Sequence, residues 1–183
     1  MQLSLLSIVA LLGLATAAPG AVKSMKDLPD GPYKGSNNED GTTTVTNIET
    51  GETFSFKHED DSSANEKRSD VALDKRESYC WGYELDHTGT DEAVVQLKNW
   101  AGTGHDWSSG NKPDYFGYNV RGVYVYYCIN AKHSSGNIDV ADINYALGQM
   151  DARCARYEAG YFQWPGSPEL VGKCRSGTKV CRG

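Results

Sequence analysis

The chain has 183 residues and a formal net charge of −6, from 18 lysines and arginines and 24 aspartates and glutamates. That length allows one ordinary domain with some additional sequence. Residues 77–183 are nearly neutral, with 10 basic and 12 acidic residues, and contain no basic stripe with interleaved aromatic residues. The composition therefore argues against a nucleic-acid binder and against a membrane-surface helix with a lysine-rich face.

Residues 1–18 form an apolar run that ends in small residues, with Ala15 and Ala17 at the spacing that signal peptidase requires. The run is too short for a membrane helix, and no later window approaches the roughly 18 apolar residues that such a helix needs. We therefore predict a secretory signal peptide over residues 1–18. The protein is expected to be secreted to the extracellular space and to have no transmembrane segment.

Residues 19–76 are rich in acidic, hydroxyl and amide side chains and contain few large apolar residues. Such a stretch buries too little surface to offset the entropy of ordering it, so we predict an acidic, largely disordered pro-segment. Residues 42–56 are the exception, because two β-prone arms flank Thr50 and Gly51. They predict a β-hairpin, which would need the following domain to pack against.

Two pairs of basic residues lie in this pro-segment, Lys67 with Arg68 and Lys75 with Arg76. A kexin-type protease cleaves after such pairs in an extended, polar stretch, because its subsites are acidic. Cysteine, tryptophan and tyrosine become frequent a few residues after Arg76. We therefore predict cleavage after Arg76, which gives a mature domain over residues 77–183. The sequence LDKR before the cut resembles the processing sites of fungal secretory precursors, which implies a fungal source.

Local patterns in the mature domain predict six segments of regular structure. The segments are a strand, a helix, a hairpin or broken strand, a second helix and two closing strand segments, over residues 78–85, 90–102, 115–131, 139–160, 161–164 and 169–175. Thr90 and Asp139 are the predicted N-caps, and Gly102 and Gly160 are predicted to end the helices. The order β-α-β-β-α-β predicts a small α+β domain, an antiparallel sheet with both helices on one face.

Five cysteines lie in the mature domain, and export makes disulfides their default fate. They are Cys80, Cys128, Cys154, Cys174 and Cys181. The simplest arrangement is two disulfides and one unpaired thiol, and fifteen different pairings of the five cysteines would give it. The odd thiol is expected either to be buried and inert or to join two chains as a disulfide-linked dimer. A zinc site is disfavoured, because no CxxC pair and no histidine and cysteine cluster has ligand spacing.

The histidines of the mature domain are weak candidates for catalytic residues, because the sequence does not show that they meet an acidic residue in space. His87, His105 and His133 lie in or beside polar loops, where a solvated side chain is the more common outcome. Glu84, Asp86 and Asp106 are acids that could pair with them. The sequence contains no GxSxG motif and no cofactor motif, so no catalytic, cofactor-binding or metal-binding residue is predicted.

Residues 160–165, GYFQWP, are similar to the strand of small secreted fungal ribonucleases that carries a catalytic carboxylate between a tyrosine and a Trp-Pro pair. Gln163 occupies the position of that carboxylate. An amide cannot accept a proton from the ribose hydroxyl, so the general base of a ribonuclease is missing. An aromatic strand that packs on the sheet is the preferred interpretation.

The precursor layout, Cys128 at a strand end, the run GNIDVADI over residues 136–143 and the late cysteine after the closing strand resemble secreted fungal effectors. The nearest likeness is to necrosis-inducing effectors of leaf pathogens and to killer toxins built as a sandwich of helices on a sheet. The sequence departs from that pattern in its odd number of cysteines and in the block around Cys80. The resemblance implies no active-site residues.

The function that this resemblance implies is that of a secreted effector or virulence factor, a non-enzyme that acts on a host target, expected to be a protein. The first alternative is a killer-toxin-like antimicrobial protein directed at competing cells. The near-neutral charge of the mature domain argues against a purely electrostatic attack on membranes. The second alternative is a small secreted ribonuclease-like hydrolase that would depend on His87, His105 or Glu84.

Overall fold

A computed structural model describes residues 25–57 and 78–183 of the chain. The predicted signal peptide and both basic pairs, Lys67 with Arg68 and Lys75 with Arg76, lie outside the described residues. Cleavage after Arg76 therefore remains a prediction.

The described part of the chain forms ten strands, two helices and one 3-10 turn, Met25–Asp27. The helices are His87–Ala101 (α1) and Val140–Asp151 (α2). The strands are Gly31–Asn37 (β1), Thr42–Asn47 (β2), Thr53–Lys57 (β3), Ser78–Glu84 (β4), His105–Ser108 (β5), Asp114–Val120 (β6), Val123–Ile129 (β7), Ser135–Ile138 (β8), Glu158–Gln163 (β9) and Glu169–Arg175 (β10).

Eight strands form one antiparallel sheet in the order β3-β2-β1-β6-β7-β10-β9-β4, and β5 and β8 pair separately. This architecture confirms the prediction of a small α+β domain dominated by antiparallel sheet. The chain order is longer than the predicted β-α-β-β-α-β. It differs because β5 and β8, which lie in segments for which no strand was predicted, pair with each other, and local patterns do not reveal such a pairing.

Three strands of the main sheet come from the segment predicted to be disordered. β1 pairs with β6, from Gly31 opposite Asn119 to Gly35 opposite Tyr115, and β2 and β3 form the predicted hairpin. Residues 25–37, which lie outside the predicted hairpin, are therefore ordered in the structure, contrary to the prediction of disorder for them. Composition was misleading because the few apolar side chains of this stretch, such as Tyr33, are completely buried against the rest of the sheet.

Strand β7 lies near the middle of the sheet, and all of its residues are buried. Its side chains alternate between two core clusters, as the two-residue period of a strand requires. The larger cluster takes Val123, Val125, Tyr127 and Ile129. The second takes Tyr124, Tyr126 and Cys128. Both helices contribute to the larger cluster, for example through Leu97 and Ile143.

Helix α1 begins three residues before the predicted N-cap. Its N-cap is Asp86, whose carboxylate accepts a hydrogen bond of 2.6 Å from the amide of Gly89. The Thr90 hydroxyl instead donates to the carbonyl oxygen of Asp86 at 2.7 Å. Because aspartate caps at least as well as threonine, the earlier residue takes the position. The predicted end at Gly102 is confirmed.

Helix α2 begins at the predicted N-cap, Asp139, which forms a capping box with Asp142. The predicted end at Gly160 is wrong, because the helix stops at Asp151 and Gly160 lies within β9. Buried Lys173 of β10 forms an ion pair of 3.1 Å with Asp151 and donates to the carbonyl oxygen of Arg156. These tertiary contacts hold the chain after α2 in a turn.

Two disulfides join Cys80 to Cys154 and Cys128 to Cys181, which confirms two bridges and one odd thiol. The odd thiol is Cys174, which has no exposed surface. Its sulfur cannot reach a second chain in this fold. Of the two alternatives for the odd thiol, this burial supports the buried, inert thiol over a disulfide-linked dimer.

Thiol labelling should show this arrangement directly. We expect iodoacetamide to modify no cysteine in the folded protein, one after denaturation without reduction, and all five after reduction. The Cys174→Ala variant is the matched control, and its denatured form should remain unlabelled until the disulfides are reduced. Labelling of the folded wild-type protein would contradict the burial of Cys174.

A row of tyrosines and glycines crosses six strands of the main sheet. The residues opposite one another are, in order, Tyr33, Gly117, Tyr126, Gly172, Tyr161 and Tyr79. A Cβ on Gly172 would overlap the ring of Tyr126. The tyrosine rings therefore use the space that a glycine leaves open on the neighbouring strand.

Burial of the tyrosine rings and the free thiol of the second core cluster makes the stability of the fold sensitive to high pH. It raises the pKa of Tyr124 and Tyr126 well above the ordinary 10.0, and that of the Cys174 thiol from 9.0 to about 12. The unfolded chain then loses protons at a lower pH than the folded protein, so stability falls as pH rises. We expect these groups to leave the urea midpoint unchanged below about pH 9 and to lower it at about pH 11. Equal midpoints at about pH 8 and about pH 11 would contradict this.

Candidate functional site

An open groove of about 410 Å³ lies where the end of β4 meets the start of α1. Residues 82–84, His87 and residues 155–158 line it. Strand β4 is irregular here, and Gly82 has a φ of 76°, a conformation that favours glycine. Glu158 holds the two lining segments together. Its two carboxylate oxygens accept hydrogen bonds from the backbone amides of Gly82 at 2.8 Å and Ala155 at 3.1 Å.

Two residues considered for catalysis meet in this groove. The Nε2 atom of His87 lies 2.7 Å from a carboxylate oxygen of Glu84. The His87 ring stacks on Tyr157, with ring centres 3.8 Å apart and planes 15° apart. The end of β4 and the first turn of α1 thus bring Glu84 and His87 together, and the turn after α2 adds an aromatic surface that the sequence did not indicate.

Tyr157 connects the groove to helix α1. Its hydroxyl donates to a carboxylate oxygen of Asp91 at 3.1 Å, and the guanidinium of Arg156 lies 5.3 Å from its ring centre. Loss of solvation raises the pKa of Tyr157, and the hydrogen bond to Asp91 adds to the effect. The tyrosine therefore remains a neutral, hydrogen-bonded ring that holds the His87 ring in place.

The polar pair of this groove is exposed to solvent. The side chains of Glu84 and His87 are 75% and 57% exposed, so water weakens the electrostatic interaction between them. No serine, threonine or cysteine is among the described residues that line the groove, but glutamate, histidine and tyrosine side chains, which can act as nucleophiles or as acid–base groups, do line it. The arrangement can bind a planar or polar group.

The other candidate residues do not converge on this groove. Asp86 is the N-cap of α1, and Asp106 accepts a hydrogen bond of 2.7 Å from the Asn137 amide. The ring of His105 packs on Trp100, with centres 4.0 Å apart. His133 lies in the turn before β8, with a φ of 50°.

The strand segment that is similar to fungal ribonucleases carries no general base in the structure. The side-chain amide of Gln163 donates to the carbonyl oxygen of Ser167 at 3.1 Å. That bond fixes the turn between β9 and β10, a structural role. The resemblance to a ribonuclease active site at this position therefore has no catalytic carboxylate to support it.

Sequence reasoning did not identify a partly exposed group of aromatic residues beside the groove. We call it the aromatic edge, and it consists of Tyr79, Trp81 and Tyr83 of β4 and Tyr161 of β9. The rings of Tyr79 and Tyr161 stack with centres 4.7 Å apart, and Trp81 meets Tyr161 edge-on at 6.1 Å. The signal was the alternation of aromatic residues at 79, 81 and 83, which was used only to predict a strand.

The aromatic edge lies at the border of the sheet. Strand β4 is the last strand in the sheet order and pairs on one side only, with β9. Tyr79 is 41% exposed. The guanidinium of Arg175 lies 4.4 Å from the ring centre of Tyr83, which places a positive charge next to the rings. Half-buried aromatic side chains beside an exposed tyrosine and an arginine are typical of recognition surfaces.

One group of side chains within the described ranges brings together three residues of types that bind metals, Cys80, Cys154 and Glu158. Its two sulfur atoms are joined in a disulfide, and both oxygens of Glu158 accept backbone hydrogen bonds. Because a metal is bound by thiolates and not by a disulfide, this group is a structural link between β4 and the turn after α2.

The groove and the aromatic edge together form the candidate functional site, at one edge of the main sheet. Neither helix within residues 25–57 and 78–183 is long and apolar enough to cross a membrane. No protein-family model, no curated protein and no solved structure matches this chain.

Proposed function

We propose that this protein is a secreted fungal effector, a virulence factor that acts outside the cell on a host protein and is not an enzyme. The observation that carries the proposal is the aromatic edge, where Tyr79 is exposed beside stacked rings and Arg175. Tyrosine, tryptophan and arginine are the side chains that contribute most to protein recognition. The neighbouring groove, lined by Glu84, His87 and Arg156 among others, adds a second, polar surface.

Two disulfides in a domain of this size support secretion, because such bonds persist in oxidising compartments. Together with the predicted signal peptide over residues 1–18, they support the proposal that the protein acts in the extracellular space. The precursor is proposed to be cut after Arg76, and Lys67 with Arg68 is a second candidate pair. A fungal source follows from the likeness of the LDKR sequence to fungal processing sites.

The likeness to necrosis-inducing effectors and killer toxins also implies that both helices lie on one face of the sheet. The larger core cluster supports this placement, because α1 and α2 both contribute buried residues to it. Leu97 and Ile143 share that cluster with Val125 of the central strand β7. This shared cluster supports the proposed likeness to helix-on-sheet effectors.

Infiltration of the purified protein into leaves of a panel of plant genotypes tests the proposal. We expect necrosis on at least one genotype and a loss of potency of about tenfold or more in the Tyr79→Ala variant. Tyr145→Ala is the matched control, because Tyr145 is a tyrosine of α2 that is 51% exposed and lies outside the aromatic edge. Equal potency of the two variants would contradict a role for the aromatic edge.

Two further results would replace the proposal by one of its alternatives. Growth inhibition of fungi or bacteria, without necrosis on any genotype, would indicate a killer-toxin-like protein. The pairing of Glu84 with His87, near Arg156, is the observation that favours a hydrolase. Turnover of RNA or of glycans that is lost in His87→Ala and retained in His133→Ala would make the protein an enzyme.

A further inference from the structure

The N-terminal strands form a continuous block at one side of the main sheet. Strands β3, β2 and β1 follow one another in the sheet order, and β1 meets the rest of the protein at β6. All five cysteines lie at or after residue 80. After a cut behind Arg76, no disulfide would therefore link this block to residues 77–183.

The block is nevertheless part of the second hydrophobic core cluster. Tyr33 and Val45 have no exposed surface, and Phe56 is 5% exposed. They share their cluster with Tyr124 and Tyr126 of the central strand β7. Without the block, the rings of these two tyrosines would be exposed to water on a face of the sheet that is buried in the folded protein.

Hydrogen bonds join the block to the main domain at both ends of β1. Near its start, the Asn119 side-chain amide donates to the carbonyl oxygen of Leu28 at 3.2 Å. Near its end, the Asn37 side-chain amide donates to the carbonyl oxygens of Val180 at 2.7 Å and Cys181 at 2.9 Å. The latter contacts fix the C-terminal tail, which is itself held by a disulfide.

Departure of the block would also create a new edge strand. The backbone groups of β6 that pair with β1, from Tyr115 to Asn119, would lose their ladder partners. A long, apolar edge strand promotes aggregation, and buried polar groups without partners are costly. The side-chain amide of Asn119, which is 2% exposed, would lose its acceptors, the carbonyl oxygens of Leu28 and Pro29, and keep the hydrogen bond from the Ser176 hydroxyl.

We infer that residues 25–57 stay bound after cleavage, so that the mature protein is a complex of two chains held together without a covalent bond. The inference rests on the proposed cleavage after Arg76. The N-terminal chain is then a permanent partner that completes the sheet, and it is not a pro-segment that leaves. The surface it covers is formed by β6, the even-numbered side chains of β7 and the C-terminal tail.

Mass spectrometry of the protein secreted from full-length precursor tests the inference. Under denaturing conditions we expect two polypeptides, one of which begins at Glu77. Under native conditions we expect a single species with their summed mass. One uncut polypeptide under denaturing conditions would refute the proposed cleavage. A third outcome is two polypeptides under denaturing conditions but only residues 77–183 under native conditions. That outcome would overturn the inference, while the proposed cleavage would still hold.

A second experiment tests whether the N-terminal chain stays bound, and it works even when the cell does not cleave after the basic pair. In this version, residues 71–76 are replaced by the recognition sequence of a site-specific protease, and the folded protein is cut after purification. The N-terminal chain should remain bound through size-exclusion chromatography. Its loss from the cut protein would overturn the inference.

A pair of variants identifies the contacts responsible. In the cut protein, Tyr33→Ala removes a completely buried ring and should weaken retention by about 100-fold or more. Ile48→Ala, at a side chain that is 49% exposed in the same chain, should leave retention unchanged. Equal retention of the two variants after serial dilution would show that the core contacts of β1 do not hold the chains together.

Discussion

Replacement of Cys80 and Cys154 together by serine is expected to lower the free energy of unfolding by about 4 kcal/mol. The two residues are 74 positions apart, so the disulfide closes a long loop and removes much of the entropy of the unfolded chain. It also joins edge strand β4 to the turn after α2. Urea denaturation of the double variant, followed by tryptophan fluorescence, gives the difference.

The matched control for this change is Cys174→Ala. Cys174 is buried but has no disulfide partner, so its replacement removes one sulfur atom without releasing a loop. We expect a loss of only about 1 kcal/mol. A double variant as stable as the control would mean that the bridge between Cys80 and Cys154 contributes nothing to stability.

Replacement of Gly117 by alanine should destabilise the protein by about 3 kcal/mol or more, because two adjacent strands would have to separate. A Cβ on Gly117 would overlap the carbonyl oxygen of Val125, and it would approach the Cα of Tyr126. Both are backbone atoms of β7, the neighbouring strand, and cannot turn away as a side chain can. Thermal unfolding and urea denaturation of the variant measure the loss.

Gly148→Ala is the corresponding control in an open position. Gly148 lies within α2, and a Cβ there would meet no atom within 4 Å. Alanine is a better helix former than glycine, so we expect a gain of about 0.5 to 1 kcal/mol. Similar effects of the two substitutions would contradict the close contact between β6 and β7.

Local sequence signals predicted those elements whose ends depend on local chemistry. The start of α2 at Asp139 and the end of α1 at Gly102 are set by hydrogen bonds within a few residues. The β2–β3 hairpin has the same local character. The number of disulfides followed from the odd count of cysteines in a chain predicted to be exported.

The incorrect predictions concern contacts between residues far apart in sequence. Helix α2 ends early because Lys173 and Cys80 bind the turn that follows it, and both come from distant strands. Tyr33 makes an otherwise polar segment part of the core, through a partner strand more than eighty residues away. No local pattern contains that information.

The candidate site was predictable in part. Glu84 and His87 are three residues apart across the start of α1, so their contact is close to a local property. The stacking of Tyr157 on His87 depends on how the turn after α2 is placed, which the sequence does not reveal. The aromatic edge required knowledge that β4 is an edge strand, since the same alternation in a central strand would be buried.

The alternation of tyrosine and glycine across the sheet restricts the order in which amino-acid substitutions can accumulate during the evolution of this protein. Gly172 and Tyr126 share one volume, so a larger residue at 172 is tolerated only after the ring at 126 has become smaller. The smaller residue alone would leave a cavity, and so each single step is unfavourable. Relatives of this chain should therefore keep both residues or replace both, and a double-mutant cycle at these positions should show strong non-additivity.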